Sequence, residues 1–194
     1  MINSLSGPKS ANLIGTIGSD KLTNLAMISS VFHLGASPAL MGFISRPHSA
    51  QSPRHTLMNI LETKQFTINH IDRSFFEKAH QTSARYAKEE SEFTTCGLEE
   101  EFIDDFQAPF VRASQLKIGL KLVEHLDIKH NNTSLIIGEI KCFTVDKKHI
   151  DPDGSIDIEA LGSLAVTGLD SYHELKKIGR LSYAKPDHPP VRID

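Results

Sequence analysis

The sequence predicts a mainly β protein, an antiparallel barrel with helices on its periphery. Two observations carry this prediction: short runs of β-forming residues outnumber the segments with helical periodicity, and tight turns join most consecutive runs. The chain has 194 residues and is 39% hydrophobic, which is enough for one core. We therefore expect a single domain over residues 1–194.

The first half of the chain contains the clearest strand patterns. Strands are predicted over Ala11 to Ile17, Leu25 to Phe32, Ala39 to Ser45 and Gln65 to His70. Gly18-Ser19-Asp20-Lys21 suits a hairpin turn between the first two strands, and Pro38 directly precedes the third. These strands therefore follow one another closely, as an antiparallel sheet requires.

Between the third and fourth strands the hydrophobic period changes to that of a helix. Leu57, Ile60 and Leu61 fall at i, i+3 and i+4, which places them on one helical face. Ser52 suits the N-cap position and Pro53 the first helical position. The sequence therefore predicts a helix that begins at Pro53.

A second helix is predicted after the fourth strand, with Asp72 as its cap. Its apolar side would consist of Phe76, Ala79, Ser83 and Tyr86. These side chains suit either core packing or a contact with another subunit, and the sequence leaves both open for Phe75, Phe76 and Tyr86.

The second half begins with an acidic, irregular region from Glu89 to Phe110. Leu116 to Lys129 and Ser134 to Val145 then predict one long hairpin around Asn131-Asn132, because asparagine tolerates the positive φ angles of a tight turn. Tyr172 to Lys185 shows a short helical pattern, followed by an irregular end.

Composition and charge exclude several classes of function. The formal net charge is -3, and lysine and arginine form no basic stripe for nucleic acid. We expect a cytoplasmic protein, because no segment approaches the ~18 apolar residues of a membrane span and no signal peptide is recognisable. Cys96 and Cys142 lie far apart and suit a reducing compartment as small core residues.

The sequence contains none of the common catalytic or metal-binding motifs. There is no GxSxG, HExxH, Walker or GxGxxG pattern, and the histidines are scattered. Asp151 to Asp157 resembles part of a calcium loop, but its twelfth position is Gly162 and lacks the bidentate glutamate. We therefore predict no metal and no catalytic acid, base or nucleophile.

Two features point to a ligand. The predicted helix start carries Arg54, His55 and Thr56 next to unpaired backbone N–H groups, which suits a phosphate or, equally, a capped helix with one exposed arginine. The strand from Thr23 to Ser30 carries polar groups and the small Ala26, which would let a flat heterocycle hydrogen-bond along its edge.

These features occur in an order that resembles the flavin reductase-like family of FMN-binding split-barrel proteins. The resemblance rests on NLIGTIGSDKLTNLAMISSVFHLGASPALMGFISRP and RHTLMNILETKQFTIN, and covers about Asn12 to Val145. The matching positions are Gly15, Thr16, Asn24, Ala26, Ser29 or Ser30, Phe32, Pro38, Arg54, Thr56, Asn59, Ile60, Phe66 and Asn69, with Gly138, Glu139 and Ile140 in the later hairpin.

The resemblance implies a Greek-key split β-barrel that binds FMN, uses NADH or NADPH and transfers hydride to flavin N5. It also implies a homodimer whose flavin pocket lies near the subunit interface. The implied cofactor-binding residues are Asn24, Ala26, Met27, Ser29 and Ser30 at the ring, Ser45 and Arg46 at the ribityl chain, Arg54, His55 and Thr56 at the phosphate, and Asn59 in the same helix motif.

One departure from the family pattern concerns a histidine before the last hairpin strand, where this chain has Asn132-Thr133-Ser134. His130 is nearby but out of register, so we assign it no role in the site. Two other functions remain open: an FMN-carrying electron-transfer protein without a nicotinamide site, and a non-redox binding module on the same barrel.

Overall fold

The computed structural model describes residues 1–49 and 53–194, and its strands are all paired antiparallel. The strands are β1 Lys9–Ser10, β2 Asn12–Ile17, β3 Thr23–Ile28, β4 Phe32–Ala36, β5 Ala39–Ser45, β6 Gln65–His70, β7 Glu100–Glu101, β8 Phe110–Val111, β9 Lys117–Ile128, β10 Thr133–Thr144, β11 Leu164–Thr167 and β12 Ser171–Glu174. The helices are α1 His55–Thr63, α2 Phe76–Gln81 and α3 Glu92–Thr95, with short 3₁₀ turns at Ile2–Ser4 and Lys147–His149.

Seven strands form the main sheet in the order β3-β2-β6-β9-β10-β5-β4. Strands β3 and β4 lie at opposite ends of this order, yet only Ser29, Ser30 and Val31 separate them in the chain. Because this link spans at most about 14 Å, the sheet must curl until its two ends meet. The Ser30 hydroxyl joins them by donating to Ile44 O at 3.1 Å and accepting from Ile44 N at 3.0 Å. The predicted antiparallel barrel is confirmed.

Two apolar cores lie on opposite faces of β2. Inside the barrel, Ile14 packs with Phe66 of β6 and with Leu57 and Ile60 of α1. On the outer face, Leu13 belongs to a second core with α2, α3 and β11. Phe75 is buried in this outer core, and Phe76 and Tyr86 pack against it, so all three side chains have packing partners within the chain.

Most predicted strands are confirmed, with one break. The strand predicted from Leu25 to Phe32 ends at Ile28, and β4 begins separately at Phe32, because the chain crosses between the sheet ends there. The predictions for β5 and β6 match the observed bounds, and β9 and β10 form the predicted hairpin with Asn132 at a φ of 58°.

Two predicted helices are confirmed with different ends, and a third prediction was wrong. Helix α1 begins at His55 with Arg54 as N-cap, so Pro53 precedes the helix; Ser52 lies outside the described residues. Helix α2 ends at Gln81, where the Thr82 hydroxyl donates to Ala79 O, and Asp72 forms a turn with Ser74 instead of capping the helix. The predicted C-terminal helix is absent from Tyr172 to Lys185: β12 occupies its start and pairs with β11.

Candidate functional site

A cleft of about 580 Å³ opens beside the free edge of β3. Ten of the eleven predicted cofactor-binding residues line it: Asn24, Ala26, Met27, Ser29, Ser30, Ser45, Arg46, Arg54, His55 and Thr56. The eleventh, Asn59, is buried behind the cleft in α1 and donates from Nδ2 to Thr16 Oγ1 at 3.2 Å. The cleft volume lies in the range of small-molecule sites.

The cleft has two facing walls that differ in their origin. We call residues 44–46 and 53–56 the helix wall, since it comes from the end of β5 and the beginning of α1. We call residues 82–86 and Glu92 the loop wall, since it comes from the segment between α2 and the first residue of α3. Strand β3 and the two residues that follow it, Ser29 and Ser30, form the floor between them.

The floor offers backbone hydrogen-bonding groups to a ligand. Strand β3 pairs with β2 on one side, and among the described residues no strand pairs with its other side. On that free side Leu25 N donates to the Glu92 carboxylate at 2.9 Å. Because backbone groups of alternate residues point to the same edge, the N–H and C=O of Met27 also point to the free side. Ala26 is small enough to let a planar ligand approach them.

A chain of side-chain hydrogen bonds fixes the Asn24 amide at the inner end of the floor. Its Nδ2 donates to the Glu92 carboxylate at 2.7 Å, and its Oδ1 accepts from Thr56 Oγ1 at 2.7 Å. The Thr16 hydroxyl donates to the same Oδ1 at 3.4 Å and in turn accepts from Asn59. This network ties the floor to both walls and accounts for the buried Asn59.

Glu92 is the main site residue that sequence analysis missed. Its side chain is 6% exposed, and this burial raises the pKa of the carboxyl above its usual value. The sequence showed Glu92 only as one of many acidic residues in an irregular region. No local pattern indicates that it meets Asn24, because 68 positions separate the two residues.

Helix α1 begins at the cleft with Arg54 in the N-cap position. The Arg54 side chain makes no capping hydrogen bond to the first backbone N–H groups of the helix. The Arg54 backbone N–H donates to His48 Nδ1 at 3.1 Å, and its Nε donates to Pro47 O at 3.2 Å. Burial, together with the nearby Arg46 and Arg85, lowers the pKa of the Arg54 guanidinium. This end of the cleft is electropositive.

Five further residues of the loop wall were missed as site residues. Thr82, Ser83, Ala84, Arg85 and Tyr86 line the cleft, although the sequence predicted Ser83 and Tyr86 on the apolar face of a longer helix. A usable signal was the Thr82-Ser83 pair, since these residue types favour helix ends over helix interiors. Asn3, Lys9 and Leu169 complete the rim.

Neither a metal site nor a membrane-spanning helix is found among the described residues. Residues 1–49 and 53–194 contain no group of three or more histidine, cysteine, aspartate or glutamate side chains that could hold a metal ion. None of the helices described is long and apolar enough to cross a membrane.

Sequence and structure comparisons identify similar proteins. A model of the flavin reductase-like domain matches residues 7–155. A solved structure from Shewanella frigidimarina, described as a flavin reductase with a split barrel domain, is 53% identical over 94% of this chain and 90% of that chain, with a TM-score of 0.90. The split-barrel fold class implied by the sequence resemblance is thereby confirmed.

More distant structures share the fold at lower identity. Flavoredoxin of Desulfovibrio vulgaris is 22% identical over 93% of this chain and 92% of its own, with a TM-score of 0.76. An FMN-binding protein from Thermus thermophilus is 16% identical over 88% of both chains, with a TM-score of 0.73.

Proposed function

Because the chain belongs to the flavin reductase-like family, we propose that its cleft binds FMN and that the protein is an NAD(P)H-dependent flavin reductase. The observation that carries this proposal is the convergence of ten predicted residues, from three separate segments, on one cleft. The Thermus thermophilus protein of the same fold is named as FMN-binding, which supports this choice of flavin.

The helix wall would hold the phosphate. The N–H groups of His55 and Thr56, the positive end of α1 and the Arg54 guanidinium all favour a dianion at this place. The Thr56 hydroxyl donates its proton to Asn24, so its backbone N–H, not its side chain, is the group available to phosphate. Arg46 and Ser45 follow at the end of β5, where the ribityl chain would lie.

The floor would hold the isoalloxazine ring. The N–H and C=O of Met27 provide an adjacent donor and acceptor, which match the alternating acceptors and donors along the edge of a flavin. Ala26 and Ser29 leave space for the ring. The Ser30 side chain is engaged with Ile44, so we assign it to the shape of the floor and not to a hydrogen bond with the ligand.

When bound, FMN supplies the chemistry, since its ring accepts a hydride from a reduced nicotinamide. The protein would position the two rings at near-attack distance and exclude water. Side chains of the cleft bind and orient; none is required as a nucleophile or as a proton donor. Asn24 keeps the inner end of the floor rigid because every polar atom of its amide is engaged.

We also propose that the protein is a homodimer. Strand β4 lies at the end of the main sheet and exposes Phe32 by 40% and Leu34 by 44%. The distal half of β9 exposes Val123, Leu126 and Ile128. Exposed apolar side chains on a sheet edge favour association, and symmetric dimers are its commonest form. Sedimentation at several concentrations tests this: a monomer at all of them would contradict it.

The central experiment is a titration of the purified protein with FMN, followed by anaerobic addition of NADH or NADPH. Binding should quench FMN fluorescence and raise the melting temperature, since a ligand of the native state stabilises it. Either nicotinamide should then bleach the flavin faster than in a protein-free control. Binding without bleaching would contradict the reductase and leave an FMN-carrying electron-transfer protein. No binding would leave a non-redox module.

A further inference from the structure

The arginines of this chain fall into two groups. Four form ion pairs with carboxylates: Arg73 with Glu174, Arg112 with Glu99, Arg180 with Asp151 and Asp153, and Arg192 with Asp194. In the part of the chain that the structure describes, the other three, Arg46, Arg54 and Arg85, have no carboxylate partner, and all three line the cleft. Unpaired arginines are therefore confined to the site.

The two walls share these cations unequally. Arg46 and Arg54 belong to the helix wall, where the proposed function already uses them for the flavin phosphate and ribityl chain. Arg85 belongs to the loop wall, lines the cleft and is exposed. Its charge nevertheless reaches Arg54, whose pKa it lowers together with Arg46 and burial. Like charges repel, so a ligand anion bound among the three guanidinium groups would offset their repulsion.

No acidic residue of the cleft competes for Arg85. Of the described residues that line the cleft, Glu92 alone has a carboxylate, and it accepts hydrogen bonds from Asn24 and from Leu25 N. On the rim, Lys9 Nζ donates to Asn3 O and Gly168 O, both at 3.3 Å, so its donors are largely engaged. Among residues 1–49 and 53–194 the Arg85 guanidinium has no ion-pair partner, so its planar fork of donors is available to a ligand in the cleft.

We propose that Arg85 binds the phosphate monoester on the adenosine ribose of NADPH and thereby selects NADPH over NADH. The proposal rests on the reductase function above. Arg85 lines the cleft and is exposed, so a dinucleotide that enters the cleft over FMN would pass its guanidinium group. A monoester carries up to two charges and accepts the two parallel hydrogen bonds of a guanidinium, whereas NADH has an uncharged hydroxyl at that place.

The kinetic test compares wild type, Arg85→Gln and Arg85→Lys with both nicotinamides. We expect Arg85→Gln to lower kcat/KM for NADPH by about 10-fold or more, through KM, and to change kcat/KM for NADH by less than about 2-fold. Arg85→Lys should recover part of the loss because it keeps the charge but not the fork. Arg112→Gln, which removes an ion-paired arginine outside the cleft, is the control and should change neither value.

A binding test separates this proposal from the reductase function. The FMN-loaded protein is titrated with adenosine 2′,5′-bisphosphate and with AMP, neither of which can donate hydride. We expect the bisphosphate to bind about 10-fold more tightly than AMP, and Arg85→Gln to remove the difference. This result would support the Arg85 site even if no nicotinamide bleached the flavin.

Three outcomes would overturn the proposal. Equal losses with NADH and NADPH would show that Arg85 serves a group that the two share. If Arg85→Gln weakened FMN binding as much as Arg54→Gln does and left riboflavin binding unchanged, Arg85 would lie at the flavin phosphate. Equal binding of the bisphosphate and AMP to the wild-type protein would show that no ribose phosphate is recognised.

Discussion

The helix wall and the loop wall of the cleft contribute opposite properties to one site. The helix wall includes the end of β5 and the first residues of α1, and its Thr56 is hydrogen-bonded into the Asn24 network. The loop wall, except for Glu92, is an irregular segment whose Ser83, Ala84 and Arg85 are exposed. A wall tied to the floor by hydrogen bonds suits a ligand that stays bound, and a wall of exposed irregular residues suits one that enters and leaves in each cycle.

The largest effect should come from filling the floor between the walls. Ser29→Trp places an indole where the ring would lie, and we expect FMN to bind about 100-fold more weakly. Ser83→Trp places the same indole on the loop wall and should weaken FMN binding by less than about 5-fold. Fluorescence titration measures both, with circular dichroism as the check on folding. Similar losses in the two variants would remove the distinction between floor and loop wall.

Arg54→Ala should have the next largest effect, on the helix wall. We expect a loss of about 1.5–3 kcal/mol in FMN binding, the value for a charge-assisted contact. Riboflavin lacks the phosphate, so its binding should change much less. Calorimetric titration of both flavins on wild type and variant provides the comparison. An equal loss for FMN and riboflavin would mean that the phosphate lies elsewhere.

Glu92→Gln tests the buried end of the loop wall through pH. Burial raises the pKa of the folded-state carboxyl, so the native protein binds more protons than the unfolded chain once the pH exceeds the unfolded value of about 4.5. Wild type should therefore lose stability as the pH rises through the folded pKa, relative to Glu92→Gln, which cannot ionise. Urea unfolding from about pH 4 to pH 8 measures the difference in the free energy of unfolding between the two proteins.

If this difference in free energy stayed constant over the pH range, the pKa of the Glu92 carboxyl would be the same in the folded and unfolded protein, and the prediction would be wrong. The glutamine keeps an acceptor for Leu25 N, so the comparison isolates the charge more than the hydrogen bond.

The smallest effect is expected outside both walls. His130 lies in the exposed turn between β9 and β10 and lines no part of the cleft. His130→Ala should therefore change kcat and KM by less than about 2-fold. Steady-state assays with each nicotinamide are sufficient. A large loss would mean that this histidine takes part in the site, for instance across a dimer interface.

The sequence predicted the helix wall and the floor better than the loop wall. Asn24, Arg54 and Thr56 lie in two short segments whose local patterns, a polar strand and a basic helix start, are visible without any tertiary contact. Glu92 and Arg85 reach the cleft only because the outer core packs α2 and α3 against β3. The residues next to Glu92 and Arg85 in the sequence do not indicate that these two side chains reach the cleft.

The difference between local patterns and tertiary contacts also explains the errors in the secondary-structure predictions. Helix α2 stops at Gln81, where Thr82 turns back to Ala79, although the apolar spacing continues to Tyr86. Tyr86 packs against the outer core from the loop that follows the helix. In the C-terminal segment, pairing with β11 and the contact of Tyr172 with Phe76, at 5.4 Å between ring centres, favour a strand where periodicity favoured a helix.

The two hydrogen bonds between Ser30 and Ile44 link the closure of the barrel to ligand binding in the cleft. Ser30 lies both on the floor, beside the place proposed for the ring, and at the joint where the two ends of the main sheet meet. A ligand that orders residues 26–30 therefore also restrains the joint. FMN should accordingly slow amide hydrogen exchange at Ile44, whose N–H donates to Ser30, more than at Leu135, its partner on β10 across the sheet.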